Sequence, residues 1–235
     1  MKIKTILFDL DATLLPMNQD LFVKSYFKAI AKSLEGYGYA SEPLIKMIWS
    51  GMKAMVGNDG SVRNEEVFWR VAQETFGQDV LKDMHYFDAF YQDGFDELKS
   101  TCGYTPKAKA VIEFLKEKGY RIALATNPIF PRIATQKRIA WAGLDKDDFE
   151  LITTYENSRY CKPNPKYYQE ILDTLNVRAD ECLMVGNDVR EDMVAERLGM
   201  QVFLLTDCLI NRDNKDISAY RHGNFDDLTE FIQNL

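Results

Sequence analysis

The chain has 235 residues, 46% of them apolar and 28% charged, with a formal net charge of −7. Such a chain can build one large domain or two modest ones around a real core. Its lysines and arginines are scattered among carboxylates, which argues against a nucleic-acid partner or an anionic membrane surface. No apolar run is long enough to cross a bilayer.

The first element in chain order is the apolar run KTILFD (4–9), which reads as a buried parallel strand with Asp9 at its carboxyl end. The N-terminal stretch superficially resembles a signal peptide, but Asp9 and Asp11 interrupt it and no small-residue cleavage site follows. Residues 18–100 have a different texture. Apolar positions recur at helical spacing over 21–34, 43–56, 65–76 and 80–98, with turn residues between, as at Gly57–Gly60 and Gly77.

From Gly103 onward helix and strand patterns alternate: helix 107–118, strand 121–126, helix 131–142, a short run 150–155, helix 165–175, strand 182–186, helix 189–198 and strand 201–206. Alternation of this kind predicts an α/β fold, a doubly wound parallel sheet with a helical block inserted after the first strand. The expected division is a core of residues 1–16 and 102–235 and an all-helical insertion over 17–101. Cys102, Cys161, Cys182 and Cys208 show no C-x-x-C spacing, so neither a zinc site nor a redox pair is expected. A reduced cytoplasmic setting is the default. His85 and His222 lie in no motif and read as surface or packing residues.

Ligands of open parallel sheets bind outside the carboxyl ends of the strands. The residues that fall there are Asp9, Asp11 and Thr13; Thr126 and Asn127; Lys162; and Asn187, Asp188 and Asp192. Asp9 and Asp11, at i and i+2, would share one face of a regular strand. Two such carboxylates repel unless a cation or proton lies between them, and a hard divalent cation with oxygen ligands fits. Thr126 and Lys162 add a hydroxyl donor and a fixed positive charge. Together they form a receptor for a phosphoryl group beside a metal, with a carboxylate nucleophile in reach. Each residue alone has an ordinary explanation: Thr126 as a helix cap, Lys162 as a surface lysine, Asp192 as a first-turn acid.

FDLDATL (8–14), LATN (124–127), CKPNP (161–165) and MVGNDVREDM (184–193), in this order, resemble the four motifs of the haloacid dehalogenase-like hydrolases. The resemblance implies a Rossmann-like core with a helical cap between the first and second motifs, and a magnesium-dependent phosphatase acting on a small phosphorylated metabolite. It implies that Asp9 attacks phosphorus and becomes an aspartyl phosphate. Asp11 would protonate the leaving oxygen and then activate water. Thr126, Asn127 and Lys162 would bind the phosphoryl group. Magnesium would rest on the Asp9 carboxylate, the Asp11 carbonyl and Asp188, with Asn187 beside it through water and Asp192 behind, or a ligand itself in another register. Ala12 stands where glycine is usual, which costs on the order of 1 kcal/mol if that position needs a positive φ.

Phosphomutase activity uses the same intermediate and remains open. Carbon–halogen hydrolysis needs no second aspartate, so Asp11 speaks against it. A phospho-accepting signalling module would lack a helical cap. Within the insertion, Met47, Trp49, Met52, Met55, Phe68 and Trp69 are expected mostly to pack a small core. Arg63 could meet a second anion or be a solvated loop residue.

Overall fold

The structure is a computed structural model, and it describes residues 2–235. Six strands form one all-parallel sheet in the order β3-β2-β1-β4-β5-β6. They are β1 (Thr5–Phe8), β2 (Arg121–Leu124), β3 (Leu151–Ile152), β4 (Cys182–Gly186), β5 (Gln201–Leu205) and β6 (Arg221–Gly223). β1 is central, with Phe8 in register with Leu124 of β2 on one side and Val185 of β4 on the other. The chain winds outward from β1 through β2 to β3, then crosses back to β4. The crevice at that reversal lies over the carboxyl ends of β1 and β4, where Asp9 and Asn187 fall.

Strand side chains alternate between two cores. Ile6, Phe8, Ile122 and Val185 face one cluster with α5 (Pro106–Glu117), α6 (Arg132–Trp141) and α8 (Phe225–Gln233). Leu7, Ala123, Met184 and Leu204 face another built on α7 (Pro165–Leu175) and residues 193–198. Helices on both faces make the sheet doubly wound, as the alternating pattern predicts.

The helical insertion follows β1. It comprises α1 (Gln19–Glu35), α2 (Ser41–Val56), α3 (Asn64–Phe76) and α4 (Met84–Ala89), with irregular helical turns to Thr101. Asn18 caps α1 by accepting the Leu21 N–H at 3.0 Å. α2 and α3 approach closely at Gly51, where a Cβ would sit 2.6 Å from the Phe68 ring. The chain enters and leaves the insertion side by side. Met17 bridges Cys102, and the Gly103 N–H donates to the Pro16 carbonyl at 2.6 Å.

Several elements differ from the periodicity. The helix expected over 80–98 is a 3₁₀ stretch (Gln78–Asp83), α4, a π turn (Phe90–Gly94) and a second 3₁₀ stretch (Phe95–Thr101). Loosening and tightening the turns lets Phe90, Tyr91 and Phe95 all pack inward, and Tyr91 reaches the Tyr26 hydroxyl at 2.8 Å. The strand expected over 150–155 stops after Ile152. The Thr153 hydroxyl instead donates to carbonyl oxygens of the neighbouring strand's end, Thr126 at 2.7 Å and Leu124 at 3.2 Å. β6 and α8 lie in the segment after 206, which the periodicity reading did not divide. His85 and His222 are both exposed.

Candidate active site

Asp9 follows β1 directly. Its N–H donates to the Val185 carbonyl at 2.9 Å, which extends the sheet by one bond and fixes the residue at the strand end. The residue is 7% exposed. Oδ1 accepts from the Lys162 ammonium at 2.8 Å, while Oδ2 accepts from the Thr13 hydroxyl at 3.1 Å. That hydroxyl also lies 3.1 Å from Asn187 Oδ1 and has one proton to give. Oδ2 therefore keeps the freer lone pairs of Asp9.

The loop after Asp9 is tight. The Thr13 and Leu15 N–H groups both donate to the Leu10 carbonyl, and Ala12 is held at φ 61. This is the left-handed region that alanine enters at a cost of roughly 1–2 kcal/mol. Ala12 thus occupies the conformation for which glycine is suited.

Lys162 is 1% exposed and spans two carboxylates, Asp9 at 2.8 Å and Asp192 at 2.6 Å. Burial alone would lower its pKa, but the Asp192 and Asp9 charges outweigh it and hold the ammonium well above the ordinary lysine value. Burial pushes the Asp192 carboxyl up to about 6, and the charge of Lys162 pulls against that rise. The Lys162 N–H donates to Asn127 Oδ1 at 3.2 Å, and Asn127 Nδ2 donates to Glu191 at 3.1 Å. Asn127 therefore ties the lysine loop to the loop after β4. Tyr167, on α7, donates to the Thr126 carbonyl at 2.8 Å, and that bond fixes the backbone of Thr126 at the edge of the cavity that this residue lines.

The helix expected to start at 189 is delayed to a 3₁₀ stretch at Met193–Leu198. The reason is local. Asp188 Oδ1 accepts the N–H groups of Arg190 and Glu191 at 2.7 and 2.9 Å, and Asp192 Oδ2 accepts the Asp188 N–H at 2.9 Å. Side chains build this turn in place of helical hydrogen bonds. Both Asp192 oxygens are thereby occupied, by Lys162 and by the Asp188 N–H, so the residue serves as partner to the lysine. Gly186 makes room for it: a Cβ there would lie 2.2 Å from the Asp192 carboxyl carbon. Asn187 donates through Nδ2 to the Cys208 carbonyl at 2.7 Å, which leaves its Oδ1 to accept from the Thr13 hydroxyl.

Asp11 has a partner that the sequence reading missed. Its Oδ2 accepts from the guanidinium of Arg138, a residue 1% exposed on α6. Its Oδ1 is buried with no partner. Removal from water raises the Asp11 pKa above the ordinary aspartate value, Arg138 opposes the rise, and the Asp9 charge adds to it. Arg138 was detectable in principle, since it falls on the stripe of α6 that also carries buried Ala134, Ile139 and Trp141. Glu191 was missed too. It lines the cavity, and burial lifts its carboxyl from 4.5 to about 7.

These residues open into one cavity of about 380 Å³. Its floor carries Asp9, Asp11, Thr126, Asn127, Lys162, Asn187, Asp188 and Asp192, so every residue expected from the strand ends except Thr13 lines it directly. The opposite wall comes from the insertion and is largely apolar, with Val23, Tyr26, Phe27, Met52 and Val56. Arg190, Arg212 and Lys215 edge the cavity from the sheet's own loops. Arg63 is elsewhere, donating to the Glu156 carbonyl at 3.0 Å. Among the large residues of the insertion, Met47, Met55, Phe68 and Trp69 are buried in packing, and Trp49 is 51% exposed and stacks on Phe27.

The donor set is that of a hard cation: carboxylate, amide and main-chain oxygens, with no thiolate or imidazole on the floor. Among the described residues no three His, Cys, Asp or Glu side chains converge closely enough to hold a metal by themselves. A cation here would also draw on carbonyl, amide and water oxygens. Magnesium, which keeps several waters and uses one or two carboxylates, fits that set.

The sequence profile of the haloacid dehalogenase-like hydrolases matches residues 3–199. The chain belongs to this family. Among similar hydrolases, the pyrophosphatase PpaX of Bacillus cereus is 25% identical over 199 residues, covering 85% of this chain and 81% of that protein. A predicted phosphoglycolate phosphatase from Haemophilus somnus has the same fold, with a TM-score of 0.60 and 21% identity over 98% of both chains. So does the magnesium-bound hydrolase YfnB of Bacillus subtilis, with a TM-score of 0.56 and 15% identity over 99% of both chains. No helix among the described residues is long and apolar enough to cross a membrane.

Proposed function

We propose that this hydrolase is a magnesium-dependent phosphatase that acts on a small phosphorylated metabolite through an aspartyl phosphate on Asp9. Residues 17–101 act as the cap over a core of 1–16 and 102–235. The observation that carries the reading is Asp9 itself, a buried carboxylate that lines the cavity with one oxygen pinned by Lys162 and the other accepting only from the Thr13 hydroxyl.

Asp9 Oδ2 attacks phosphorus in line while Lys162 and the Thr126 hydroxyl bind the phosphoryl oxygens. Asp11 gives its proton to the leaving oxygen, then takes one from the water that cleaves the intermediate. Asp192 keeps Lys162 charged and in place. The Asp9 carboxylate, the Asp11 main-chain carbonyl and Asp188 would hold magnesium, with Asn187 reaching it through water. The ion would supply charge neutralisation at the phosphoryl group. The insertion closes the cavity against water.

The names of the relatives point to phosphoryl substrates, pyrophosphate for PpaX and phosphoglycolate for the Haemophilus protein. Both would bring a second anion to this cavity. The wall from the insertion has no cation to receive it, and Arg190, Arg212 and Lys215 are the cations at its edge. Phosphate release from a panel of pyrophosphate, phosphoglycolate, sugar phosphates and nucleoside monophosphates tests the reading. Turnover should need magnesium, stop in chelator and require no bisphosphate activator. Full activity in excess chelator, or transfer to a sugar without phosphate release, would overturn it.

A further inference from the structure

Arg138 leads the fully buried side chains of this protein by volume. A charge so placed is tolerated only with partners that satisfy it, and its partners are specific. One nitrogen donates to Asp11 Oδ2, Nη2 to the Thr135 hydroxyl at 3.3 Å and Nε to the Ala134 carbonyl at 3.3 Å. The guanidinium carbon lies 4.6 Å from the centre of the Phe130 ring, a favourable cation–π geometry. Asp11 and Phe130 line the cavity, and Arg138 does not. Phe130 also packs against the insertion, with the Tyr26 ring at 5.3 Å and the Phe22 and Phe95 rings at 6.4 and 6.3 Å. The guanidinium therefore sits behind the floor, between one candidate catalytic carboxylate and the ring where the insertion meets the sheet.

We propose that Arg138 is a positioning residue: it clamps Oδ2 of Asp11 and so fixes the orientation of the carboxyl that exchanges protons with substrate and water. The inference rests on the reading of Asp11 as acid and base. Two observations support the role. Oδ2 is bonded to a side chain that is itself locked by packing, and no second partner holds the carboxyl, because Oδ1 makes no hydrogen bond. Arginine suits the task, since a guanidinium donates but does not give up its proton. It can fix the carboxylate without competing for the proton in transit. In the first step the Asp11 proton passes to the leaving oxygen as that oxygen parts from phosphorus and Asp9 bonds to phosphorus. In the second, water bonds to phosphorus, its proton passes to the Asp11 carboxylate, and the Asp9–phosphorus bond breaks to give inorganic phosphate. Both transfers need the carboxyl held within a narrow range of angle and distance.

The test is a double-mutant cycle over wild type, Arg138→Gln, Asp11→Asn and the double variant, with an alkyl phosphate and 4-nitrophenyl phosphate as substrates. Nitrophenolate needs little protonation to leave, and an alkoxide needs much. Arg138→Gln should lower kcat on the alkyl ester by about 10- to 100-fold, with KM little changed. The first burst of nitrophenol should slow by less than about threefold. In the Asp11→Asn background the same change should cost less than about twofold, because the residue it acts through is gone. Arg138→Lys keeps the charge behind the floor and loses the fork, so it should show the same substrate split at smaller size. It provides the reading if Arg138→Gln folds poorly. Equal slowing of both substrates, or a full Arg138 effect in the Asp11→Asn background, would overturn the positioning role and leave the Asp11 reading standing. An alkyl phosphate rate unchanged by Asp11→Asn alone would bring down both.

Discussion

The floor of the cavity is a chain of buried, charge-assisted hydrogen bonds from Asp192 through Lys162 to Asp9, whereas the wall opposite is apolar packing by α1 and α2. The two regions answer to different physics. On the floor each group is a partner on which another depends, so removing one strands a charge away from water. On the wall each side chain contributes area, and losing one weakens contact with whatever lies against it. A change on the floor should therefore abolish turnover, and a change on the wall should alter which substrate is turned over.

The largest effect should come from Lys162→Met, which leaves the Asp9 and Asp192 carboxylates buried without a counter-charge. It should cost about 3–5 kcal/mol of stability and at least 100-fold in kcat. A variant with wild-type stability and a normal rate would show that the lysine holds nothing. Gly186→Ala comes next. The new methyl would lie 2.2 Å from the Asp192 carboxyl carbon, and overpacking of this kind costs roughly 1–3 kcal/mol. Activity should fall with it, since Asp192 must move off Lys162. An unperturbed rate would mean that Asp192 is dispensable to the lysine.

Met52→Ala probes the wall. It should raise KM for the preferred substrate by up to about tenfold, the loss of roughly 1–2 kcal/mol of apolar contact. The rate on 4-nitrophenyl phosphate at saturation should change little. A fall in kcat with KM unchanged would break the distinction between wall and floor.

The smallest effect tests Ala12. Relief of its positive φ and loss of a buried methyl oppose each other in Ala12→Gly, so stability should shift by less than about 1 kcal/mol, or about 2–4 °C in Tm. Ala123, equally buried in β2, offers no such relief, and Ala123→Gly should cost more. Equal losses at the two positions would remove the strain argument.

The floor was legible in the sequence because its chemistry sits on the strand ends, where the fold class brings them together. Asp9, Thr126 and Lys162 are far apart in the chain, yet topology alone places them in one crevice. The choice between Asp188 and Asp192 was read in favour of Asp188 but left open to another register. It depends on which N–H groups each carboxylate accepts within one short turn, and the same capture of N–H groups delays the helix that the periodicity placed there. Arg138 was hidden for another reason. In a helix pattern an arginine reads as solvated, and only its place on the apolar stripe, beside Ala134 and Ile139, marked it. The last part of the insertion was the least legible. Residues 80–98 satisfy a helical period, but the stretch 78–101 folds into successive 3₁₀, α and π turns. The packing of Phe90, Tyr91 and Phe95 decides that geometry, and no local rule encodes it.

The proposed reaction turns on a covalent bond between Asp9 and the phosphoryl group, and trapping that bond is the direct measurement. Asp11→Asn, mixed with magnesium and 4-nitrophenyl phosphate, should lose its phosphate slowly and accumulate the intermediate. Quenching, borohydride reduction of the acyl phosphate and peptide mapping should then find homoserine at position 9 in an amount close to that of nitrophenol in the burst. Unmodified Asp9 after a stoichiometric burst, or a phosphate attached to any other residue, would contradict it.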